Sequence, residues 1–195
     1  MPATQGPQVP PVPADEPVLH FDPALLLRAQ GVRAAIFDVD GVLTDGGLLI
    51  GEQGESLKRF NILDGQGLKL LQRACVTPLV VTGRDSAPLR QRLASLGITH
   101  ARFGVDDKLP AAQQLLDTLG VPWEDTAVIG DDWPDLPLMQ RAHFAAAPPN
   151  AHAEVRARVA WITPSRGGEG AAREFCDLLL VASGRYAALL REVLA

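Results

Sequence analysis

Two aspartates one residue apart, Asp38 and Asp40, directly follow an apolar run over residues 32–37, and Gly41 comes next. Such a run is typical of a central strand buried on both faces of a parallel sheet. The two carboxylates would then lie at the edge where open α/β sheets bind ligands. Because close carboxylates repel each other and lose solvation beside an apolar core, a hard divalent cation would stabilise them. A turn in which the aspartates only cap backbone groups is the alternative that this stretch leaves open.

Polar residues of suitable chemistry also follow three later apolar runs. They are Thr82, Gly83 and Arg84 after the second run, Lys108 after the third, and Asp131 and Asp132 after the fourth. In a doubly wound sheet, parallel strands bring such residues together at one edge. Three carboxylates from two strand ends could hold Mg²⁺, and a lysine and a hydroxyl could donate to phosphate oxygens. Taken singly, each segment is also compatible with a turn, a solvated helix start or an N-cap.

The paired aspartates suit a covalent mechanism of phosphoryl transfer. One carboxylate placed against a phosphate is a competent nucleophile, as aspartyl-phosphate chemistry shows. The second, two residues on, can protonate the leaving alkoxide and later deprotonate water. The combination therefore predicts a metal-dependent phosphatase.

The segments that must position these residues alternate between strands and helices of about ten residues. This alternation predicts right-handed crossovers and a doubly wound parallel sheet of the α/β class. Strands are predicted over residues 32–37, 78–81, 98–103, 126–129, 143–146 and 160–162. Helices are predicted over 23–30, 64–74, 86–97 and 108–120, from 134, from 150, over 171–181 and up to 193.

Three segments are predicted along the chain. Residues 1–20 contain six prolines and read as a disordered extension, residues 21–183 as the main domain, and residues 184–195 as a helical tail. Residues 46–60 predict a β-hairpin that would project over the site as a flap. Its apolar residues Leu48, Leu49 and Ile50 have no evident core partner in one subunit, which predicts contact with another subunit.

Composition narrows the class of protein. The chain has 195 residues, 47% of them apolar, which suits one domain with a sizeable core. Its net charge of −5 argues against a nucleic-acid or membrane-surface partner. No apolar run reaches the roughly 18–20 residues that a membrane span needs. Cys75 and Cys176 are predicted to be buried free thiols, which indicates a cytoplasmic protein.

The four strand-end segments resemble the four motifs of haloacid dehalogenase superfamily phosphatases. The matching stretches are Asp38-Val39-Asp40-Gly41-Val42-Leu43-Thr44-Asp45, Val81-Thr82-Gly83-Arg84, Lys108 and Gly130-Asp131-Asp132-Trp133-Pro134-Asp135. The flap, Asp64-Gly65-Gln66-Gly67 and residues 167–174 narrow the resemblance to 3-deoxy-D-manno-octulosonate 8-phosphate (KDO 8-phosphate) phosphatases, over residues 30–183. Trp133-Pro134 depart from the last motif.

The resemblance implies a role for each matching residue. Asp38 would be the nucleophile, and Asp40 the general acid/base that also binds Mg²⁺ through its backbone carbonyl. Asp131 would complete the metal site, supported by Asp132 and Asp135. Phosphate and substrate would be held by Lys108, Thr82, Gly83, Arg84, Thr44, Arg59 and Arg173.

The resemblance also implies an assembly and a substrate. It predicts no large cap domain and a homotetramer in which flap and tail of neighbours complete the site. Arg166 and Arg173 flank the glycine-rich stretch that would reach a neighbour. The substrate would be a small sugar phosphate, KDO 8-phosphate, on the route to lipopolysaccharide.

Two other functions remain open at this stage. One keeps the chemistry and changes the substrate to a nine-carbon, sialic-acid-type sugar 9-phosphate. The other is a non-catalytic assembly protein with the same fold. The joint presence of Asp38, Asp40, Lys108 and Asp131 argues against the second.

Overall fold

The structure is a computed structural model that describes residues 17–52 and 54–195. The predicted disordered extension, residues 1–20, therefore falls largely outside the described residues. Within it, residues 17–20 contain no helix or strand. In the described part of the chain, no helix is long and apolar enough to cross a membrane. The cytoplasmic location stays a prediction.

Six strands form one parallel sheet, as predicted. They are β1 (Ala34–Phe37), β4 (Thr77–Val81), β5 (Ala101–Arg102), β6 (Thr126–Ile129), β7 (Phe144–Ala147) and β8 (Trp161–Ile162), in the order β5-β4-β1-β6-β7-β8. The other two strands, β2 (Leu49–Gly51) and β3 (Gly54–Leu57), pair antiparallel as the predicted hairpin. Phe37 pairs with Val80 on one side and with Ile129 on the other. This register aligns the ends of β1, β4 and β6, the strands that carry the paired aspartates, Thr82 and Asp131.

In residues 17–52 and 54–195, eight α-helices pack around the sheet. They are α1 (Pro23–Arg28), α2 (Ile62–Arg73), α3 (Ala87–Leu96), α4 (Lys108–Leu119), α5 (Leu136–Arg141), α6 (Ala153–Arg156), α7 (Ala171–Ala182) and α8 (Tyr186–Leu194). Ala35 and Phe37 of β1 pack toward one core cluster, which α2, α3 and α7 complete, while Ile36 packs toward the opposite cluster with α4 and α5. The alternation along a fully buried strand thus produces the doubly wound fold.

Two predicted elements have different bounds in the structure. The third strand is only Ala101–Arg102, shorter than the predicted 98–103, because it lies at the sheet edge and pairs with β4 alone. Helix α2 begins at Ile62, before the predicted residue 64, because the side chain of Asn61 accepts a hydrogen bond from Leu63 N at 2.8 Å and caps it.

The cysteine prediction is half right. Both thiols are free and Cys176 is buried, but Cys75 is exposed. Cys75 follows the end of α2 in a left-handed conformation with φ of 61°. It therefore lies in a surface turn, although its neighbours in sequence suggested a core position.

Candidate active site

Three carboxylates meet where β1 and β6 end. Asp38, Asp131 and Asp135 each offer one carboxylate oxygen, and these oxygens lie within 4.8 Å of one another. Asp38 follows β1, Asp131 follows β6, and Asp135 ends the short 3₁₀ turn Trp133–Asp135. Asp135 thus supplies the third carboxylate of this group, and the side chain of Asp40 is not among the three.

Asp135 organises the loop after β6. Its Oδ2 accepts hydrogen bonds from the backbone amides of Asp131 at 3.1 Å and Asp132 at 3.3 Å. The side chain of Asp132 instead accepts from Trp133 N at 2.8 Å and caps the turn. Asp135 therefore holds the backbone of the loop beside Asp131, whereas Asp132 caps the turn that follows. Both hydrogen-bonding patterns are present although Trp133-Pro134 depart from the motif.

Lys108 is held between the nucleophile candidate and Asp135. Its Nζ lies 2.6 Å from Asp38 Oδ1 and 2.7 Å from Asp135 Oδ1 in a buried position. Burial by itself would lower the pKa of Lys108, but the two carboxylates raise it to about 12. The side chain is thus a fixed positive charge beside Asp38, as a phosphate-binding lysine needs to be.

The crowded carboxylates fit a divalent cation. Burial, together with the charge of Asp135, raises the pKa of Asp38, and burial with the charges of Asp38 and Asp135 raises that of Asp131. A Cβ on Gly41 would lie 2.0 Å from Asp131 Oδ2, so any larger residue at this position would displace the carboxylate of Asp131. Oxygen donors that repel one another at this spacing match the ligand chemistry of Mg²⁺.

Asp40 belongs to a second group of charges. Its Oδ1 lies 2.5 Å from Nζ of Lys58, which also lies 3.2 Å from Glu55 Oε1. Arg84 Nη2 lies 3.3 Å from Glu55 Oε2, and its Nε lies 3.8 Å from Asp40 Oδ2. The flap thus reaches the catalytic edge of its own subunit through Lys58 and Glu55. Metal binding through the backbone carbonyl of Asp40 stays a prediction.

An open pocket of about 340 Å³ joins these groups. Its lining includes the predicted residues Asp38, Asp40, Thr82, Gly83, Arg84, Lys108, Asp131 and Asp132, together with Asp135. Thr82 follows β4, and its Oγ1 accepts a hydrogen bond from Arg84 N at 3.3 Å. That bond leaves the hydroxyl proton available to an acceptor in the pocket.

The loop of residues 38–45, called here the catalytic loop, is packed against the glycine-rich segment 166–170. Gly168 N donates to Val42 O at 2.9 Å, and the side chain of Asn150 donates to Gly41 O at 3.0 Å. Asn150 Oδ1 in turn accepts from Gly167 N at 2.8 Å. A Cβ on Gly167 would lie 1.7 Å from Gly41 O, so the two backbones are in direct contact.

Three predicted substrate residues have other contacts within the described chain. Thr44 is buried, its hydroxyl donating to Val39 O at 3.3 Å and accepting from Gly46 N at 3.2 Å, so it supports the loop and is not among the residues that line the pocket. The exposed Arg59 pairs with Asp45 at 2.8 Å.

Arg173 lies on α7 and donates through Nε to Asp177 at 2.8 Å. Neither Arg59 nor Arg173 lines the pocket of this subunit, and a role in a neighbour's site stays a prediction.

Sequence reasoning missed Lys58, Glu55 and Asn150. Glu55 and Lys58 are three residues apart at the end of the hairpin, which is compatible with a solvated strand, and only the packing of the flap brings them to Asp40. Asn150 lies 109 residues beyond the Gly41 carbonyl that it binds. A long-range side-chain to backbone bond of this kind leaves no signal in local sequence.

Comparison with known proteins identifies proteins that are similar to this chain in sequence and in structure. A family profile of haloacid dehalogenase-like hydrolases matches residues 104–175. The chain is 40% identical over 161 residues to 3-deoxy-D-manno-octulosonate 8-phosphate phosphatase KdsC of Escherichia coli strain K12, covering 83% of this chain and 86% of that protein.

Two crystal structures add a structural match. The 3-deoxy-D-manno-octulosonate 8-phosphate phosphatase of Yersinia pestis is 40% identical with a TM-score of 0.82, covering 84% of this chain and 89% of that one. The enzyme of the same name from Moraxella catarrhalis, in complex with magnesium, phosphate and KDO, is 36% identical with a TM-score of 0.84. That match covers 87% of this chain and 98% of that one.

Proposed function

The chain belongs to the KDO 8-phosphate phosphatase family of haloacid dehalogenase-like hydrolases, and we propose that it hydrolyses KDO 8-phosphate to the free sugar acid and phosphate. The reaction is phosphate monoester hydrolysis with Mg²⁺ as cofactor, in the synthesis of a lipopolysaccharide precursor. The observation that carries the assignment is the placement of Lys108, 2.6 Å from Asp38 in the pocket that also holds Asp40, Thr82 and Asp131. These residues form one reaction centre, which argues against a non-catalytic protein.

We assign the nucleophilic role to Asp38. Its carboxylate oxygen forms a bond to phosphorus while the bond from phosphorus to the sugar oxygen breaks, which gives an aspartyl phosphate. Lys108 and the hydroxyl of Thr82 donate to phosphoryl oxygens as charge develops on them. Lys108 and Asp38 line the same pocket, so both can contact one phosphoryl group there.

We assign proton transfer to Asp40. Its carboxyl gives a proton to the departing sugar oxygen, and the resulting carboxylate takes a proton from the water that hydrolyses the aspartyl phosphate. One residue can serve both steps because the first leaves it in the form that the second requires. The pocket contains both Asp38 and Asp40, as this sequence of steps needs.

The residues that would hold Mg²⁺ are Asp38 and Asp131, with Asp135 beside them. Their oxygens are close enough for one ion, and their mutual repulsion is relieved when it binds. When bound, the ion supplies positive charge that neutralises phosphoryl oxygens in the transition state. Asp135 also keeps Lys108 and the loop after β6 in place, through the hydrogen bonds described above.

Arg84 is suited to recognise the acidic sugar. Its side chain is about half exposed at the pocket rim, where a guanidinium can pair with a carboxylate of the substrate. Its contact distances of 3.3 Å and 3.8 Å to Glu55 and Asp40 are long for ion pairs. It can therefore exchange these partners for the substrate at small cost.

The flap supports a symmetric homo-oligomer, and the family resemblance suggests a tetramer. Large apolar side chains on and beside it are exposed, namely Leu48, Leu49, Ile50, Leu57, Ile62 and Leu63. Burying such side chains is worth roughly 1.5–3 kcal/mol each, enough to hold subunits together. The glycine-rich segment packs on its own catalytic loop, and the contribution of the tail to a neighbouring site remains part of the proposal.

Phosphate release from a panel of esters tests the proposed function. We expect rapid release from KDO 8-phosphate, slower release from nine-carbon sugar 9-phosphates, and loss of both in EDTA with recovery on adding Mg²⁺. Because the carboxylates lie on preformed strand ends, far-UV circular dichroism should not change in EDTA. Faster hydrolysis of a nine-carbon ester would reassign the substrate, and undiminished release in EDTA would overturn the metal-dependent mechanism.

A further inference from the structure

Lys58 is a buried ammonium at the end of an exposed hairpin. Its side chain is 1% exposed, whereas the preceding residue, Leu57, is 66% exposed. Removing an ammonium from water is costly unless carboxylates compensate for the lost hydration. Lys58 has two such partners, Asp40 and Glu55, so its position is set by the catalytic loop as much as by the flap.

The charges around Lys58 form a closed ring. Asp40 lies 2.5 Å from Lys58, Lys58 lies 3.2 Å from Glu55, Glu55 lies 3.3 Å from Arg84, and Arg84 lies 3.8 Å from Asp40. Positive and negative groups alternate, so every charge faces its opposite. The ring joins three segments, which are the catalytic loop, the flap and the turn after β4.

The two carboxylate oxygens of Asp40 have different partners in the ring. Oδ1 accepts the short hydrogen bond from Lys58, whereas Oδ2 lies 3.8 Å from Nε of Arg84. An oxygen that accepts a bond from an ammonium is a poor site for a proton. Protonation of Asp40 is therefore directed to Oδ2, on the side of Arg84, a residue that lines the pocket.

We propose that Lys58 is a positioning residue for proton transfer, which fixes Asp40 through Oδ1 so that Oδ2 carries the proton to the leaving oxygen of the substrate. This inference rests on the proposed function. In the step concerned, the bond from Asp38 to phosphorus forms, the bond from phosphorus to the sugar oxygen breaks, and the Oδ2 proton moves to that oxygen. Because Lys58 belongs to the flap, a correctly seated flap becomes a condition for this step.

A leaving-group comparison separates this role from a structural one. In single-turnover experiments with enzyme in excess, release of the alcohol reports only the first step. The sugar alkoxide of KDO 8-phosphate needs a proton to leave, whereas 4-nitrophenolate leaves without one. Loss of correctly placed general acid catalysis costs about 100-fold or more. We therefore expect Lys58→Met to slow release of KDO about 100-fold and release of 4-nitrophenol only a few-fold.

Two further variants complete the experiment. Lys69→Met removes an exposed lysine from α2 and should leave both rates unchanged. Lys58→Arg should recover much of the loss with KDO 8-phosphate, because a guanidinium can still bind Oδ1. Equal slowing with both esters would show that Lys58 only stabilises the flap, and unchanged rates would show that Asp40 needs no such partner; either result overturns the proposal.

The outcome for wild-type enzyme distinguishes this inference from the proposed function. An enzyme that cleaves 4-nitrophenyl phosphate but not KDO 8-phosphate would overturn the proposed substrate alone. The comparison of alkyl and aryl esters would then be made with the sugar phosphate that wild-type enzyme does cleave. Should Lys58→Met unfold, Glu55→Gln provides the same comparison, because it keeps the ammonium of Lys58 but removes one of its two carboxylate partners. Its loss of rate should be smaller than that of Lys58→Met, and again larger with KDO 8-phosphate than with 4-nitrophenyl phosphate.

Discussion

The catalytic loop and the flap follow each other directly in sequence but are stabilised in opposite ways. In the loop, Val39 and Val42 are completely buried, and the backbone of the glycine-rich segment packs against it. In the flap, Leu49 is 55% exposed and Ile50 is 63% exposed. A two-stranded hairpin has too little packing of its own to be stable alone.

The difference shows where the chain needs rigidity and where it needs a partner. A reaction centre must hold its groups in place before substrate binds, and the loop is accordingly fixed by contacts within one subunit. The flap presents apolar surface that is useful only when something covers it. We infer that one subunit contains the machinery for bond cleavage and that assembly acts on the flap.

The largest expected effect is in the catalytic loop. Asp38→Asn keeps the size of the side chain but removes the nucleophilic charge, so turnover should fall by several orders of magnitude. The protein should stay folded, because the substitution also relieves repulsion among the carboxylates. Phosphate release and circular dichroism measure the two effects. A folded variant with near-normal release would refute the assignment of the nucleophile.

A glycine substitution compares loop and flap directly. Gly167→Ala places a Cβ 1.7 Å from Gly41 O and forces two backbones apart, which should cost about 1–3 kcal/mol of unfolding free energy and at least tenfold in turnover. Gly51→Ala in the flap is the matched control, since its nearest contact is 3.8 Å away. Urea unfolding and phosphate release should separate the two variants. If both behave alike, the close packing behind the loop has no functional importance.

A charge introduced into the flap should change the assembly and leave bond cleavage nearly unchanged. Leu49→Asp should prevent burial of the flap and give a monomer of about 20.8 kDa by light scattering. Leu27→Asp, on the equally exposed surface of α1, should leave the oligomer intact. Single-turnover cleavage of 4-nitrophenyl phosphate should change only a few-fold in the monomer. A monomeric wild-type protein would contradict the proposed assembly.

A smaller, pH-dependent effect on stability is expected where α2, the helix after the flap, contacts α7, the helix after the glycine-rich segment. Asp64 of α2 accepts a hydrogen bond from Arg173 N of α7 at 2.8 Å. Burial raises the pKa of Asp64 to about 6, although the backbone amides of Arg173 and Gly170 act in the opposite direction. The native state therefore binds this proton more tightly than the unfolded chain, whose pKa is 3.8.

The sign of the effect follows from those two pKa values. Stability contributed by protonated Asp64 is present at low pH and is lost as pH rises from about 4 to about 6, by at most about 3 kcal/mol. In Asp64→Asn this loss should disappear, so the stability of the variant relative to wild type should improve between pH 4.5 and pH 7. Urea unfolding at the two pH values measures the change. A constant difference would show that Asp64 does not titrate in this range.

The smallest effect is expected at the N-terminus. Removal of residues 1–20 should leave turnover and the thermal midpoint unchanged, because the segment is rich in proline and poor in large apolar residues. Differential scanning calorimetry and phosphate release provide the test. A midpoint lowered by several degrees would show that this segment packs on the domain.

The sequence by itself determined the fold and the centre of the site. Buried strands are recognisable as short apolar runs, and parallel strands bring their carboxyl ends together, so the sequence alone predicts Asp38, Thr82 and Asp131 in one pocket. The hairpin could be predicted for a similar reason, since its strands and turn are adjacent in the chain. These inferences depend only on local pattern and on general rules of topology.

Tertiary structure decided which side chains meet across the elements. Lys58 contacts Asp40, and Asp135 lies beside Asp38. Local sequence does not specify either contact, because the first depends on how the flap packs and the second on the conformation of the turn after β6. The glycine-rich segment is the clearest case. Its composition is compatible with reach toward a neighbour, which stays a prediction, and Gly167 and Gly168 also permit close contact with the loop of the same chain. A missing Cβ permits both flexibility and close packing, and only the position of the opposing backbone determines which of the two the protein uses.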